Sequence, residues 1–132
     1  MAILLANSIA TSGTDKAITL LKKGSSSLDA IESGIRLVES DPNAGWVGYG
    51  GHPNLLGKVE LDAGIIDGAS LRAGAVGALS GYSHPISVAR KVMESLPHVF
   101  LVGDGAARFA GDCNAEVGDN PVSYTHLTLP TT

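Results

Sequence analysis

Two acids and a histidine hold most of the chemical potential of this chain. Glu60 and Asp62 lie two residues apart in the strand-like run Val59-Glu-Leu-Asp-Ala-Gly-Ile-Ile-Asp67, so both carboxylates project from one face. Paired carboxylates can divide acid and base work if one pKa is raised and a substrate sits between them. On a solvated edge they do neither, and the spacing fits both arrangements. Upstream, His52 sits in Gly48-Tyr-Gly-Gly-His-Pro-Asn54, a turn with three glycines and a proline. An imidazole there could act as a base or a hydrogen-bond donor near neutral pH, or simply occupy a surface turn. The glycines suit a tight connection, and equally a backbone held open for close approach by another group.

Other reactive side chains are arranged less suggestively. His84 precedes Pro85 and reads as part of a helix N-cap region, and His98 opens an apolar strand in a structural role. No two histidines stand at i, i+4 and none pairs with Cys113, so the spacing of a metal site is missing. As the single cysteine, Cys113 excludes an internal disulfide and reads as an ordinary thiol. The glycine turn lacks the Lys-Ser/Thr of a phosphate loop and does not open a helix. Gly103-Asp-Gly105 after a strand is half a dinucleotide fingerprint without its third glycine. No serine occupies a nucleophile elbow. The residues alone therefore give no catalytic set, no metal and no cofactor.

The elements that must position these groups follow from composition and period. The 132 residues are 44% hydrophobic and 17% charged, a globular balance, and a chain of this size can bury roughly two-thirds of its unfolded surface. The 17 glycines are about twice the usual ~7% and cluster in turns and in 72–81, which implies close backbone packing. With a net charge of −4 and basic residues paired only at Lys22-Lys23 and Arg90-Lys91, no basic stripe is available for nucleic acid. No apolar run reaches ~18 residues, so no membrane-spanning helix is expected. The start, Met1-Ala-Ile-Leu-Leu-Ala, lacks the basic region of a signal peptide. The expected location is cytoplasmic, or periplasmic if an upstream signal peptide has been lost.

Ala2–Ser8 reads as a short buried strand. Thr14–Lys23 has helical spacing with Gly24 at C′. Ser26 and Asp29 form a capping box for a second helix through Ile31, Ile35 and Val38, stopped by Asp41-Pro42-Asn43. Val59–Asp67 and Leu71–Leu79 make a hairpin joined by Gly68-Ala69-Ser70. Apolar or small residues on both faces of its strands imply a sheet covered on both sides. A helix Ile86–Ser95 begun by Pro85, a strand His98–Val102 and a helix Gly103–Ala110 complete the series. This gives an α/β layered domain over residues 1–120. After Asn120 the character changes: Ser123-Tyr-Thr-His-Leu-Thr-Leu-Pro-Thr-Thr132 has no glycine, acid or helical period. Residues 121–132 read as a non-native or disordered tail.

The ordered segments VGYGGHPN, GKVELDAGIIDG, LRAGAVGAL, HPISVARKVMES and PHVFLVGDGAARFA resemble the N-terminal half, the α-subunit region, of the aspartylglucosaminidase family. These N4-(β-N-acetylglucosaminyl)-L-asparaginases are N-terminal nucleophile (Ntn) hydrolases related to isoaspartyl peptidase/L-asparaginases. The segment from Gly24 to Gly34 resembles the family's early helix, and the likeness runs from about residue 4 to 118. The His-Gly-Gly-Ala-Gly start usual in the isoaspartyl-peptidase branch is missing, which favours the aspartylglucosaminidase branch.

The resemblance implies a four-layer αββα sandwich, of which this chain would supply one layer of helices and part of one sheet. It implies hydrolysis of the side-chain amide of an asparagine derivative: N4-glycosyl-asparagine, asparagine or an isoaspartyl peptide. In the family a precursor cuts itself and frees an N-terminal threonine, whose hydroxyl attacks while its own α-amine, with a pKa near ~8, serves as base. That nucleophile follows a His-Asp motif. His126-Leu-Thr128 lacks the Asp, so the chain is expected to carry no catalytic residue, to be inactive alone and to need a C-terminal half bearing the threonine. The resemblance places Gly50, Gly51 and His52 beside that nucleophile, where many members have serine in place of His52. The family's tryptophan in the loop after the first strand has no counterpart in Ile9–Gly13, and Trp46 lies elsewhere in the sequence. The full-length protein is expected to be a homo-oligomer. The competing expectation is a stand-alone α/β binding or scaffold domain without catalysis.

Overall fold

The computed structural model describes residues 1–118, so the tail set apart at 121–132 lies outside the described residues. A 3-10 turn, Ser8–Ala10, leads into α1 (Thr11–Lys22) and α2 (Ser27–Ser40); a second 3-10 turn, Gly48–Gly50, precedes β1 (Leu61–Asp67) and β2 (Arg72–Leu79). Then come α3 (Pro85–Ser95), β3 (Phe100–Val102) and α4 (Gly103–Asp112).

Local chemistry sets these boundaries. Helix α1 ends in a paired cap: Gly24 N–H donates to Leu21 O at 3.0 Å and Ser25 N–H to Leu20 O at 3.0 Å. That geometry requires the left-handed conformation which Gly24 adopts, with φ +84°. Helix α2 opens where Ser26 Oγ accepts the Asp29 N–H at 3.0 Å. The Ser26 hydroxyl in return, followed by Arg90, holds the Asp29 carboxyl below its usual range. The helix stops at Asp41, ahead of Pro42. α1 and α2 touch at Gly13 and Gly34, where an added Cβ would overlap the opposing backbone.

The sheet has the order β1-β2-β3. β1 and β2 are antiparallel, with Asp67 opposite Arg72, and β3 runs parallel to β2 after the α3 crossover. Asp67 closes the hairpin by accepting the Ser70 hydroxyl at 2.6 Å and the N–H groups of Ala69 and Ser70 at 3.2 Å. α3 lies across the hairpin at Gly74, where any Cβ would overlap the Ala89 carbonyl oxygen and crowd Met93. The core of Ile65, Val76, Leu79, Ile86, Val88 and Val92 fills this interface, joined by Ala106 and Ala110 of α4.

Helices over one face of a mixed sheet make an α/β fold. It is consistent with one helical layer and part of one sheet of the αββα sandwich. Three expectations need correction. Ala2–Ser8 is not a strand: no strand of the sheet runs beside it, and Ile3 and Leu5 are exposed. An apolar run without a hydrogen-bonding neighbour does not become a strand.

The sheet is also not covered on both sides by the described residues. Ile66 is 70% exposed, Phe100 59%, and Val102 and Val99 are exposed as well. Small residues on both faces permit close packing without requiring it, so the pattern that suits two covered faces also suits one that is open. Finally, β3 is shorter than His98–Val102, and His98 is exposed ahead of it.

Candidate active site

The glycine turn is shaped by the end of α2. Gly48 has φ +56°, and a Cβ there would overlap the backbone carbonyl of Glu39. Only glycine combines that conformation with that approach. A Cβ on Gly50 would stand 3.0 Å from the Pro42 carbonyl oxygen, and one on Gly51 would stand 3.0 Å from the Gly48 carbonyl oxygen and from Leu61 Cδ2. The turn is thus pressed between α2 and the start of β1, and Gly51 N–H closes it by donating to Gly48 O at 2.9 Å. Asn54 holds the far side: its Oδ1 accepts the N–H groups of Leu56 at 2.9 Å and Lys58 at 3.1 Å.

His52 is half-buried, its ring 4.3 Å from that of Trp46 between centroids and tilted by 35°. Trp46, 70% exposed, lines a cavity of about 630 Å3 together with Asn7, Ile9, Gly48, Glu60 and Asp62. Distance in sequence from the Ile9–Gly13 loop made Trp46 look remote, but folding sets it on the same cavity as Ile9. Its place in the same glycine-rich segment as His52 was the available signal. Gly50, Gly51 and His52 adjoin this cavity through Trp46 and Gly48 and are not on its wall.

The carboxylate pair meets at the cavity, but each acid has a structural partner. Glu60, ahead of β1, accepts from Asn54 Nδ2 at 3.0 Å and faces Lys58 Nζ at 3.8 Å. Asp62 Oδ1 accepts the Ala78 N–H at 2.8 Å, where the β1–β2 register shifts between Leu61 and Ala63. Asp62 therefore mends a bulge in the ladder.

His84 is the residue that sequence reading undervalued. It sits at the N-cap of α3 without capping it. Its Nδ1 lies 3.2 Å from Glu39 Oε2 and its Nε2 lies 3.3 Å from Glu116 Oε2. Glu39, 3% exposed, fills the cap by accepting the Ile86 N–H on Oε1 at 3.0 Å. Burial pushes the Glu39 carboxyl up to about 8 and pushes the His84 imidazole down. Arg36, 2.5 Å from Glu116, holds that carboxyl below its usual range. From Arg36 the network continues through Ser87 at 2.8 Å to Glu32 at 2.6 Å and on to Arg90. His84, Glu116, Arg36, Ser87, Glu32 and Arg90 line a second cavity of about 450 Å3, whereas Glu39 lines the first. The long-range partners of His84 are invisible in sequence, because Glu39 and Glu116 reach it from α2 and from beyond α4.

Among the described residues no set of three or more His, Cys, Asp or Glu side chains is arranged to hold a metal ion. The larger cavity, with an aromatic wall and a few convergent polar groups, is suited to holding and orienting a small ligand.

Residues 7–130 match the protein family described as Asparaginase. The chain is 53% identical over 95 residues to an N(4)-(β-N-acetylglucosaminyl)-L-asparaginase of Elizabethkingia miricola, covering 72% of this chain and 28% of the relative. It is 43% identical over 109 residues to an isoaspartyl peptidase/L-asparaginase of Rattus norvegicus, covering 83% of this chain and 32% of the relative. With a plant-type L-asparaginase of Pyrococcus abyssi it shares 53% identity over 92 residues, covering 68% of this chain and 29% of the relative. The chain thus spans about a third or less of the length of these relatives. By this similarity, which runs from the first helix through the glycine turn, the hairpin and α4, the chain belongs to the asparaginase family.

Proposed function

We propose that the chain forms the N-terminal part of an amidohydrolase that cleaves the side-chain amide of asparagine derivatives. The observation that carries this reading is the similarity to relatives named for asparaginase chemistry, at 43–53% identity over 92–109 residues. In this reading the attacking group is a threonine freed at a new N-terminus in the part of the relatives that the chain does not span. Its hydroxyl adds to the amide carbon, and its α-amine, with a pKa near ~8, takes the proton. Gly50 and Gly51 bring the backbone close to that threonine, His52 meets its amine, and the chain alone is inactive. Trp46, held against His52, forms one side of the substrate's approach.

The test is co-expression of this chain with the segment of the Elizabethkingia relative beyond the matched stretch. Aspartate release from asparagine, an isoaspartyl dipeptide and N4-glycosyl-asparagine is then measured. Hydrolysis of at least one substrate is expected from the assembled pair. A stable, co-purifying pair that cleaves none of the three would overturn the reading and favour a binding domain without catalysis.

A further inference from the structure

We infer that Glu39, His84 and Glu116 form a hydrogen-bonded relay that positions the glycine turn, one proton held between Glu39 and His84 fixing the end of α2 against Gly48. The contacts fit either a neutral His84 beside a protonated Glu39 or an imidazolium between two carboxylates, and the burial of Glu39, 3% exposed, favours the first. Glu39 Oε1 is occupied by the Ile86 N–H at 3.0 Å, which leaves Oε2 to face His84 Nδ1 at 3.2 Å. Glu116, paired with Arg36 at 2.5 Å, is an ionised acceptor 3.3 Å from Nε2. With Glu39 kept neutral by burial, His84 donates Nε2–H to Glu116 and accepts at Nδ1 from the protonated Glu39. Each buried polar atom is then satisfied, in keeping with the absence of unpartnered buried side-chain atoms among the described residues.

Loss of that proton would leave an ionised carboxyl that is 3% exposed and a single imidazole N–H to serve two carboxylates, Glu39 and Glu116. The charged groups around the pair are Arg36 and Glu32 on α2 and Glu116 after α4, with Arg90 of α3 acting through Glu32. Glu32 and Glu116 oppose a third negative charge, and Arg36 is already engaged by Glu116 and Ser87. Burial is the main cause that pushes the Glu39 carboxyl up to about 8. Proton loss near that pH is thus expected to loosen the end of α2. Because the Glu39 backbone is the surface on which Gly48 rests, the turn that leads to His52 moves with it. The relay needs only the fold; the amidohydrolase reading enters solely in what the turn does.

The test uses nitrogen-15 NMR of the chain between pH 6 and 9, with Glu39→Gln as the comparison. Glutamine keeps the acceptor for Ile86 N–H and supplies a permanent donor to Nδ1, so it imitates the protonated acid. In the parent chain His84 is expected as the Nε2–H tautomer at neutral pH, and the Gly48, Gly50 and Gly51 amides are expected to titrate together near pH 8. In Glu39→Gln the glycine shifts should stay at their low-pH positions throughout. An Nδ1–H tautomer at neutral pH, or the same glycine titration in the variant, would overturn the relay. Should the spectra be too broad, the infrared carbonyl band of a protonated carboxyl decides. It is expected at pH 7 in the parent and lost in Glu39→Gln, and a parent chain without it refutes the assignment.

Discussion

The two faces of the β1–β2 hairpin obey the same alternation and end in opposite states. On one, Ile65, Val76 and Leu79 are packed under α3 and α4. On the other, Ile66 and Gly64 of β1 are exposed, as are Phe100 and Val102 of the adjoining β3. The covered face is held by side-chain interdigitation and by the close approach of α3 at Gly74. The bare face has the apolar character of a core with no described layer upon it. The sheet therefore has a packed side that supports folding and an apolar side that no described element covers.

The largest expected effect lies on the packed side. Leu79→Ala removes a fully buried side chain, and truncations of this kind cost about 2–5 kcal/mol, to be read from denaturant unfolding. A cost near zero would mean that the packed face is not what holds the hairpin.

Stability should next vary with pH through Glu39. Its folded pKa is raised from 4.5 to about 8, so the folded state binds the proton more tightly than the unfolded state. Its contribution is fully present below 4.5 and declines as pH rises through about 8. His84 works the other way: its folded pKa is lowered from 6.5, so its contribution is present above 6.5 and lost as pH falls. Between pH 6.5 and 8 the Glu39 slope stands nearly alone, on the order of 2 kcal/mol across the window. Glu39→Gln should flatten that slope in thermal melts, and an undiminished slope would assign it to other groups.

The smallest effect on stability belongs to the bare side. Ile66→Lys should change unfolding free energy by less than about 0.5 kcal/mol, as exposed sites do. It should nevertheless reduce self-association in sedimentation velocity, because an open apolar patch beyond a few hundred Å2 promotes association. A substitution that destabilises the fold and leaves association unchanged would show that the bare face is not bare in solution.

Much of this was legible in the sequence, and what was not has identifiable causes. Local signals placed α1 through Gly24, α2 through Ser26 and Asp29, and α3 through Pro85, because caps and prolines act within a few residues. The hairpin was readable from its period, but how much of its surface is covered was not, since small residues look alike whether covered or open. Ala2–Ser8 was misread because an apolar run does not say whether a partner strand exists. At the site, the glycines of the turn were visible, whereas their cause, the backbone of Glu39, was not. Trp46 against His52 and the Glu39–His84–Glu116 relay depend on folding, which no spacing rule covers.

The most direct test of the functional reading is an ammonia-release assay on the purified chain alone, with asparagine and an isoaspartyl dipeptide as substrates. The expected result is no release above the uncatalysed background, because the proposed reading puts the attacking threonine in the portion of the relatives that the chain does not span. Sustained ammonia release that co-purifies with the chain would contradict it and place a complete catalytic set within these 132 residues.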